Sequence, residues 1–444
     1  MSSRFEKKLR KVARPPVLEN YFFIEDEFPE NMSPIKLREF QRESLEAIIR
    51  RAYENSPFYQ RKLTEARVSP GDFQEIEDLE HFPFTTKDDL RGKPWELVAC
   101  DRKDIALVQV STGTTGGEEI YIMYSWNDFY LHDLAPGYPS LVPVESGDIC
   151  FVALPYEMSS AGLAFHKTFM EGCGATVIPA GKGGAYSTPA KSVKMLRDLH
   201  PNIIITTPSW AAYLAEAAEE EDFDLTGLQL KKMWLTGEGC SPAFRERMEH
   251  LWGTVANFYY GSLECGCIGI ECDGHDGYHI TQGHILVEIV DPKTGKVLEP
   301  GEIGEIVVTC LLRYDTPILR YRTQDLGYIE TESCDCGVLM PRIVLRGRLV
   351  DQIVIQGIGF SPYYLEEFLM RLPEVGNWFQ FVLDKENPDL LIICCELAPG
   401  INPSAELAEI LASKMEYGTG IACRFEFVAK LPRPSGKTIR VVHR

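Results

Sequence analysis

Directly after an apolar run, Ser111-Thr-Gly-Thr-Thr-Gly-Gly117 mixes hydroxyl side chains with glycines. Glycine lets the backbone approach a ligand and turn its N–H groups onto phosphate oxygens, and Ser and Thr add further donors. The segment lacks the Gly-Lys-Ser/Thr ending of a P-loop, and no Gly-x-Gly-x-x-Gly follows a strand-like run, so neither of those nucleotide motifs applies. A second group is built for a different chemistry. Cys272-Asp-Gly-His-Asp-Gly-Tyr-His279 and Cys334-Asp-Cys336 offer thiolates and imidazoles at short spacing. Cys272, His279, Cys334 and Cys336 make a closed tetrahedral Zn²⁺ set, with His275 an equal candidate for the imidazole. Four protein ligands leave no position for water, so such a site is structural.

The chain that carries these groups has 444 residues, 45% apolar and 25% charged, which is the composition of a globular protein of two to four domains. Its 45 Lys and Arg against 65 Asp and Glu give a net charge of −20, which argues against general nucleic-acid or anionic-membrane binding. Any phosphate must therefore be held locally. No run of apolar residues is long enough for a membrane span, the start is a poor signal peptide, and thirteen cysteines suit reduced thiols, so a cytoplasmic location is expected.

Stepping along the chain, helix-like spacing covers Pro34 to Ala66, punctuated at Pro57. Short apolar runs at Ile105–Val110, Ile149–Leu154, Ala175–Pro179 and Ile203–Thr207 then alternate with helix-like stretches, the signature of βαβ units and a largely parallel sheet. From Gly283 the pattern becomes hairpin-like, with turns at Asp291-Pro-Lys-Thr-Gly295 and Glu299-Pro-Gly301. The last ninety or so residues read as a compact α+β block.

Four further segments follow the first in order: Tyr259-Tyr-Gly-Ser-Leu-Glu264, Arg320-Tyr-Arg-Thr-Gln-Asp-Leu326, Arg346-Gly-Arg-Leu-Val-Asp351 and Leu431-Pro-Arg-Pro-Ser-Gly-Lys-Thr-Ile-Arg440. Together the five resemble the core motifs of the adenylate-forming superfamily. Ala52-Tyr-Glu-Asn-Ser-Pro-Phe-Tyr59, Phe82-Pro-Phe-Thr-Thr-Lys-Asp-Asp-Leu90 and Ala161-Gly-Leu-Ala-Phe-His166 narrow the likeness to the phenylacetate–CoA ligase family, from about Leu37 to the C-terminus. The resemblance implies an α/β fold with a large N-terminal domain of mixed and parallel sheets carrying a small β subdomain (1–346), a hinge (347–351) and a small mobile α+β lid (352–444).

It also implies a two-step reaction. A carboxylate attacks the α-phosphorus of ATP to give an acyl-adenylate, and CoA then displaces AMP, with charge stabilisation mattering more than covalent help. Ser111, Thr112, Gly113, Thr114, Thr115 and Gly116 match the family's phosphate loop, although Gly117 and Glu118 replace its usual Lys-Pro. Glu264 matches the Mg²⁺ ligand, Tyr260 and Gly261 the adenine-packing pair, and Gly237, Glu238 and Gly239 the turn on the adenine's other side. Asp325 matches the acceptor of the ribose hydroxyls. Arg322 and Arg348 fall beside the triphosphate or hinge, and Lys437 matches the lysine that bridges carboxylate and phosphate. Val350 stands where many relatives carry a polar hinge residue. Tyr156, Ala161, Phe165, His166 and Pro208 occupy the acid-binding segments, and their aromatic character suits an aryl or arylacetic monocarboxylate. The Cys-rich segments resemble a pair present in many relatives, and a homodimer is a family expectation.

Alternatives at this point are an adenylating enzyme that passes its acyl group to another cofactor or carrier protein, a zinc-stabilised binding protein on the same fold, and a metal-dependent hydrolase. Retention of Glu264, Asp325 and Lys437 speaks for catalysis.

Overall fold

The computed structural model describes residues 29–111, 118–131, 138–158, 161–349, 352–355, 357–385, 387, 390–433, 436 and 438–444. Two compact units emerge, each assembled from separate stretches of chain. The first comprises residues 1–147, 155–176 and 257–345, the second 148–154, 177–256 and 346–444.

Helices start where the sequence writes a hydroxyl followed by proline. Ser33-Pro34, Ser56-Pro57, Thr188-Pro189, Thr207-Pro208, Ser241-Pro242 and Ser361-Pro362 each open one, the hydroxyl accepting a first-turn N–H and the proline filling a position whose N–H has no intrahelical acceptor. Ser56 therefore divides the amphipathic stretch into Pro34–Asn55 and Pro57–Ala66.

In the first unit seven strands form the order Ile285–Val290, Gly304–Cys310, Tyr321–Glu330, Arg342–Arg348, Tyr278–Ile280, Gly266–Glu271 and Ala256–Ser262. The expected hairpin after Gly283 is present, Ile285–Val290 pairing antiparallel with Gly304–Cys310. One core runs from Leu45, Ile48 and Ile49 of the first helix to Ile268, Ile306, Val308 and Ile343 of the sheet. Ile105–Val110 departs from expectation: it is no member of a parallel sheet but pairs antiparallel with Tyr121–Ser125. The connection between them is too short for the helical crossover that a parallel partner requires.

The second unit holds the βαβ layer. Ile149–Ala153, Ile203–Thr206 and Lys232–Leu235 are parallel neighbours, with Thr176–Ile178 beyond the first of them. Pro189–Leu199, Pro208–Glu220 and Pro242–Trp252 are its helices, and Trp210, Trp234 and Trp252 are buried. The C-terminal block is α+β as expected. Its four strands run Cys423–Phe427, Leu391–Leu397, Val375–Leu383 and Val441–His443, accompanied by helices Pro362–Met370 and Ala405–Thr419. Arg247, on Pro242–Trp252, donates to the carbonyls of Met370, Leu372 and Val375 at 2.8 Å each, so it closes the C-terminal end of the block's first helix. Among the described residues no helix is long and apolar enough to cross a membrane.

Candidate active site

Asp325 stands on a deliberate irregularity. Along the ladder between Gly304–Cys310 and Tyr321–Glu330, Glu305 pairs with Leu326 but Val307 pairs with Arg322, so residues 323–325 face Ile306 alone. Such a bulge re-aims side chains. Thr323 Oγ1 donates to the Ile306 carbonyl at 2.8 Å and accepts from Asp325 N at 3.1 Å. Gln324 takes a left-handed φ of 66°, and its N–H reaches Glu305 Oε1 at 3.1 Å. The same Glu305 accepts from Arg322 Nε at 2.8 Å, and Arg322 Nη2 donates to the Pro292 carbonyl at 2.9 Å. Arg322, expected beside the triphosphate or the hinge, engages a buried carboxylate here and braces the bulge.

Tyr260 and Asp325 lie on strands four positions apart in the sheet order, which in a flat sheet would separate them by roughly 19 Å at about 4.8 Å per strand. Their hydroxyl and carboxylate are 2.7 Å apart, so the sheet rolls until its two faces of chemistry meet. Burial first, and then the Asp325 charge, push the Tyr260 phenol well above its ordinary range and keep it a donor. Gly261 must be glycine here, because a Cβ would stand 2.3 Å from the Gly266 carbonyl oxygen across the turn.

Glu264 follows in the same turn and is buried. Burial first, and then the Glu264 charge, push the Tyr321 phenol well above its ordinary range. The Glu264 backbone carbonyl accepts from Arg313 Nη1 at 2.6 Å, while Arg313 Nη2 holds Met123 O at 2.9 Å and Thr316 Oγ1 at 2.7 Å. Asp128 gathers the N–H groups of Tyr314, Asp315 and Thr316 at 2.8–3.1 Å, fixing the loop that carries this arginine. Arg313 and Asp128 carried no motif signal, since their partners are set by tertiary packing. A carboxylate is the hard oxygen donor that Mg²⁺ takes, and one or two suffice when phosphates complete the shell, so Glu264 fits that ion.

Tyr156, Phe165 and His166 come together in the first unit. Tyr156 Oη and His166 Nδ1 are 3.3 Å apart with the rings edge to face, and Phe165 meets Tyr259 at 4.9 Å between centroids. Ala161 opens the helix that carries Phe165 and His166. The neighbouring Lys167 is spent on the Phe129 carbonyl.

The cysteine–histidine group is assembled by strand register. Ile270 pairs with His279, and Glu271 with Tyr278, which sets His279 beside Cys272 at the end of one strand. One ligand atom each from Cys272, His279, Cys334 and Cys336 lies within 4.8 Å of every other. Cys272 and Cys334 sulfurs are 3.6 Å apart, against roughly 3.8 Å for two thiolates at tetrahedral Zn–S distances of about 2.3 Å. His279 Nδ1 is 3.0 Å from the Met340 carbonyl, which leaves Nε2 facing Cys336 Sγ at 3.3 Å. His275 instead faces the Glu271 carboxylate at 3.3 Å, so the choice that spacing left open falls on His279.

In the second unit Gly237 takes a φ of 79°, which favours glycine, and a Cβ on Gly239 would stand 2.5 Å from the Tyr363 ring, which would have to give way. Glu238 between them accepts from Lys182 Nζ at 3.0 Å and Ser209 Oγ at 2.9 Å. Pro208 is buried at the first turn of its helix, and Arg348 is half-buried at the end of its strand. Ser111 bonds Ile120 through both its N–H and its hydroxyl. Thr112, Gly113, Thr114, Thr115, Gly116, Lys437, Val350 and Asp351 lie outside the described residues.

Residues 44–310 match the AMP-binding enzyme family. The chain belongs to that family. Among the curated members it resembles are two phenylacetate–coenzyme A ligases. The one from Thermus thermophilus is 34% identical over 79% of both chains, and the one from Escherichia coli K12 is 31% identical over 93% of this chain and 96% of the relative. A crystal structure of 2-hydroxyisobutyryl-CoA ligase in its postadenylation state, with the acyl-adenylate bound, matches the fold at a TM-score of 0.87 and 24% identity, covering 96% of this chain and 94% of that one. The adenylate-forming fold expected from the five motifs is therefore the fold found. Within this AMP-binding enzyme the sequence motifs missed Arg313 and Lys182. Gly181-Lys-Gly-Gly184 was the one local sign of the latter.

Proposed function

We infer that the chain is an ATP-dependent, AMP-forming carboxylate–CoA ligase acting on an aryl or arylacetic acid. The observation that carries this reading is the rolled sheet, which brings Asp325 to the Tyr260 hydroxyl, with the buried Glu264 carboxylate in the turn that follows Tyr260. Family membership and the curated relatives support the two half-reactions.

In this reading Asp325 accepts both ribose hydroxyls, and Tyr260 and Gly261 pack the adenine. The turn Gly237–Gly239 offers the base its backbone. Glu264 holds Mg²⁺, which when bound neutralises charge at the α-phosphate. Ser111, Thr112, Gly113, Thr114, Thr115 and Gly116 turn N–H and hydroxyl donors onto the departing pyrophosphate. Lys437 bridges the attacking carboxylate and the phosphate, Arg348 serves the hinge at 347–351, and the block 352–444 is the lid. Tyr156, Phe165 and His166 form an aromatic wall suited to a planar ring, with Ala161 and Pro208 lining the acid's path. Lys167 is already bonded to a carbonyl, which favours an acid with a single charge.

Cys272, His279, Cys334 and Cys336 would hold a structural Zn²⁺. Four protein ligands would leave it no open position, so it would supply no chemistry to the reaction. None of the thirteen cysteines is joined in a disulfide, which supports a reducing compartment such as the cytoplasm.

The test is pyrophosphate release from ATP and Mg²⁺ across aryl, arylacetic and short aliphatic acids, each with and without CoA. Acid-dependent release that turns over only with CoA is expected. A single equivalent regardless of CoA would move the acyl group to another acceptor, and silence with every acid would defeat the reading.

A further inference from the structure

Lys182 is one of the most deeply buried cations of the second unit, and its surroundings are unusual. Its side chain is 2% exposed and that of its partner Glu238 10%. The ammonium reaches four acceptors: Thr207 Oγ1 at 2.8 Å, Gly436 O at 2.9 Å, Glu238 Oε1 at 3.0 Å and Ser209 Oγ at 3.5 Å. Glu238 Oε1 in turn accepts from Ser209 Oγ at 2.9 Å and from Thr438 N at 3.3 Å. The backbone that presents Lys182 takes left-handed conformations at Gly181, Gly183 and Gly184, with φ of 70°, 73° and 80°. A loop of this shape disfavours ordinary side chains at those three places, so the lysine is aimed, not incidental.

Taking an ion pair out of water costs several kcal/mol per charge before the partners repay it, which makes a buried pair a poor source of stability. Its value lies in fixing geometry. Here the cation holds the carbonyl of residue 436 and the anion holds the N–H of residue 438. The residue between those two peptide groups is Lys437.

We propose that Lys182 and Glu238 are positioning residues that grip the backbone on both sides of Lys437 and so set where that lysine's ammonium is delivered during adenylation. This rests on the reading that Lys437 serves the first half-reaction. The second half-reaction, attack of CoA on a preformed acyl-adenylate, does not need the grip. Lys182 has no capacity left for a second charge on the acid, because its three protons are shared among four protein acceptors.

Two variants and two readouts test it in the full-length protein. Lys182→Met leaves Glu238 buried without its partner and carries a folding risk, whereas Lys182→Met combined with Glu238→Gln removes both charges together. In the double variant, hydrogen exchange of the 436–440 amides should rise about tenfold or more. Adenylation, read as pyrophosphate release, should fall by a similar factor. Thioester formation from synthetic phenylacetyl-adenylate and CoA should fall by a clearly smaller factor than adenylation. Adding Lys437→Ala to the double variant should slow adenylation no further than Lys437→Ala alone, as expected for residues acting through one another. Unchanged exchange at 436–440, additive losses, or an equal fall in both half-reactions would overturn the proposal, as would a change of acid preference with the loop still protected. A wild-type protein that releases no pyrophosphate with any acid would defeat the ligase reading, and the exchange measurement would then decide the grip by itself.

Discussion

The Tyr260 hydroxyl donates to Asp325 Oδ2 at 2.7 Å and thereby joins strands that are four places apart in the sheet. The carboxylate has two oxygens and about four lone-pair sites, so this donor leaves acceptor capacity for ribose hydroxyls. Hydrogen bonds to a charged group are worth about 1.5–3 kcal/mol, so Asp325→Asn should raise KM for ATP by about 10–100-fold. Tyr260→Phe leaves the acceptor in place and should change that KM by about threefold or less. Pyrophosphate release at varied ATP measures both, and a D325N enzyme with wild-type KM would remove Asp325 from the nucleotide site.

Zinc should be present at one equivalent per chain by elemental analysis. Replacing Cys272 or Cys334 with Ser should cost on the order of 2 kcal/mol and lower the melting midpoint by about 4–8 °C, before any loss of specific activity at low temperature. Metal-free protein with normal stability would eliminate the site.

His284 predicts acid sensitivity of the first unit. It is fully buried between the Tyr138 hydroxyl and the Cys267 carbonyl, and burial lowers its pKa to about 4. The neutral ring is the folded form, so its contribution is complete above pH 6.5 and is lost as pH falls through 4, a term on the order of 3 kcal/mol. His284→Gln, which keeps a donor for the Cys267 carbonyl, should flatten that limb of a urea-midpoint profile.

Glu366 has the opposite sign in the second unit. Burial raises its pKa to about 7 despite the nearby Arg440 guanidinium and a hydrogen bond involving the Ser241 backbone, with Glu238 and Glu367 adding to the rise. Its neutral form stabilises the fold fully below about pH 4.5, and that stability is lost as pH rises through 7. Glu366→Gln should remove the loss between pH 5.5 and 8. An unchanged slope would show that the carboxyl ionises early in the folded protein.

How much of this was legible depended on whether partners were near in sequence. Tyr260, Glu264 and Asp325 each sit inside a short motif whose residue types state their chemistry, and helix starts were written as Ser-Pro or Thr-Pro pairs. The choice between His275 and His279 needed the pairing of Ile270 with His279, a register that no local pattern fixes. Arg322 is expected from its motif beside the triphosphate or hinge, and nothing local announces Glu305, which engages it from the neighbouring strand. Arg313 is defined by carbonyls 49 and 190 residues away, and Lys182 by one 254 residues away. Their roles are properties of the packed chain.

The carbonyls that Arg247 satisfies on the C-terminal block lie 123 to 128 residues downstream of it. The block is therefore not a self-contained cassette: grafted onto a foreign host, it would arrive with three acceptors stripped of their donor. Recombination between relatives would have to transfer Pro242–Trp252 together with the C-terminal block, or find a guanidinium waiting in the recipient.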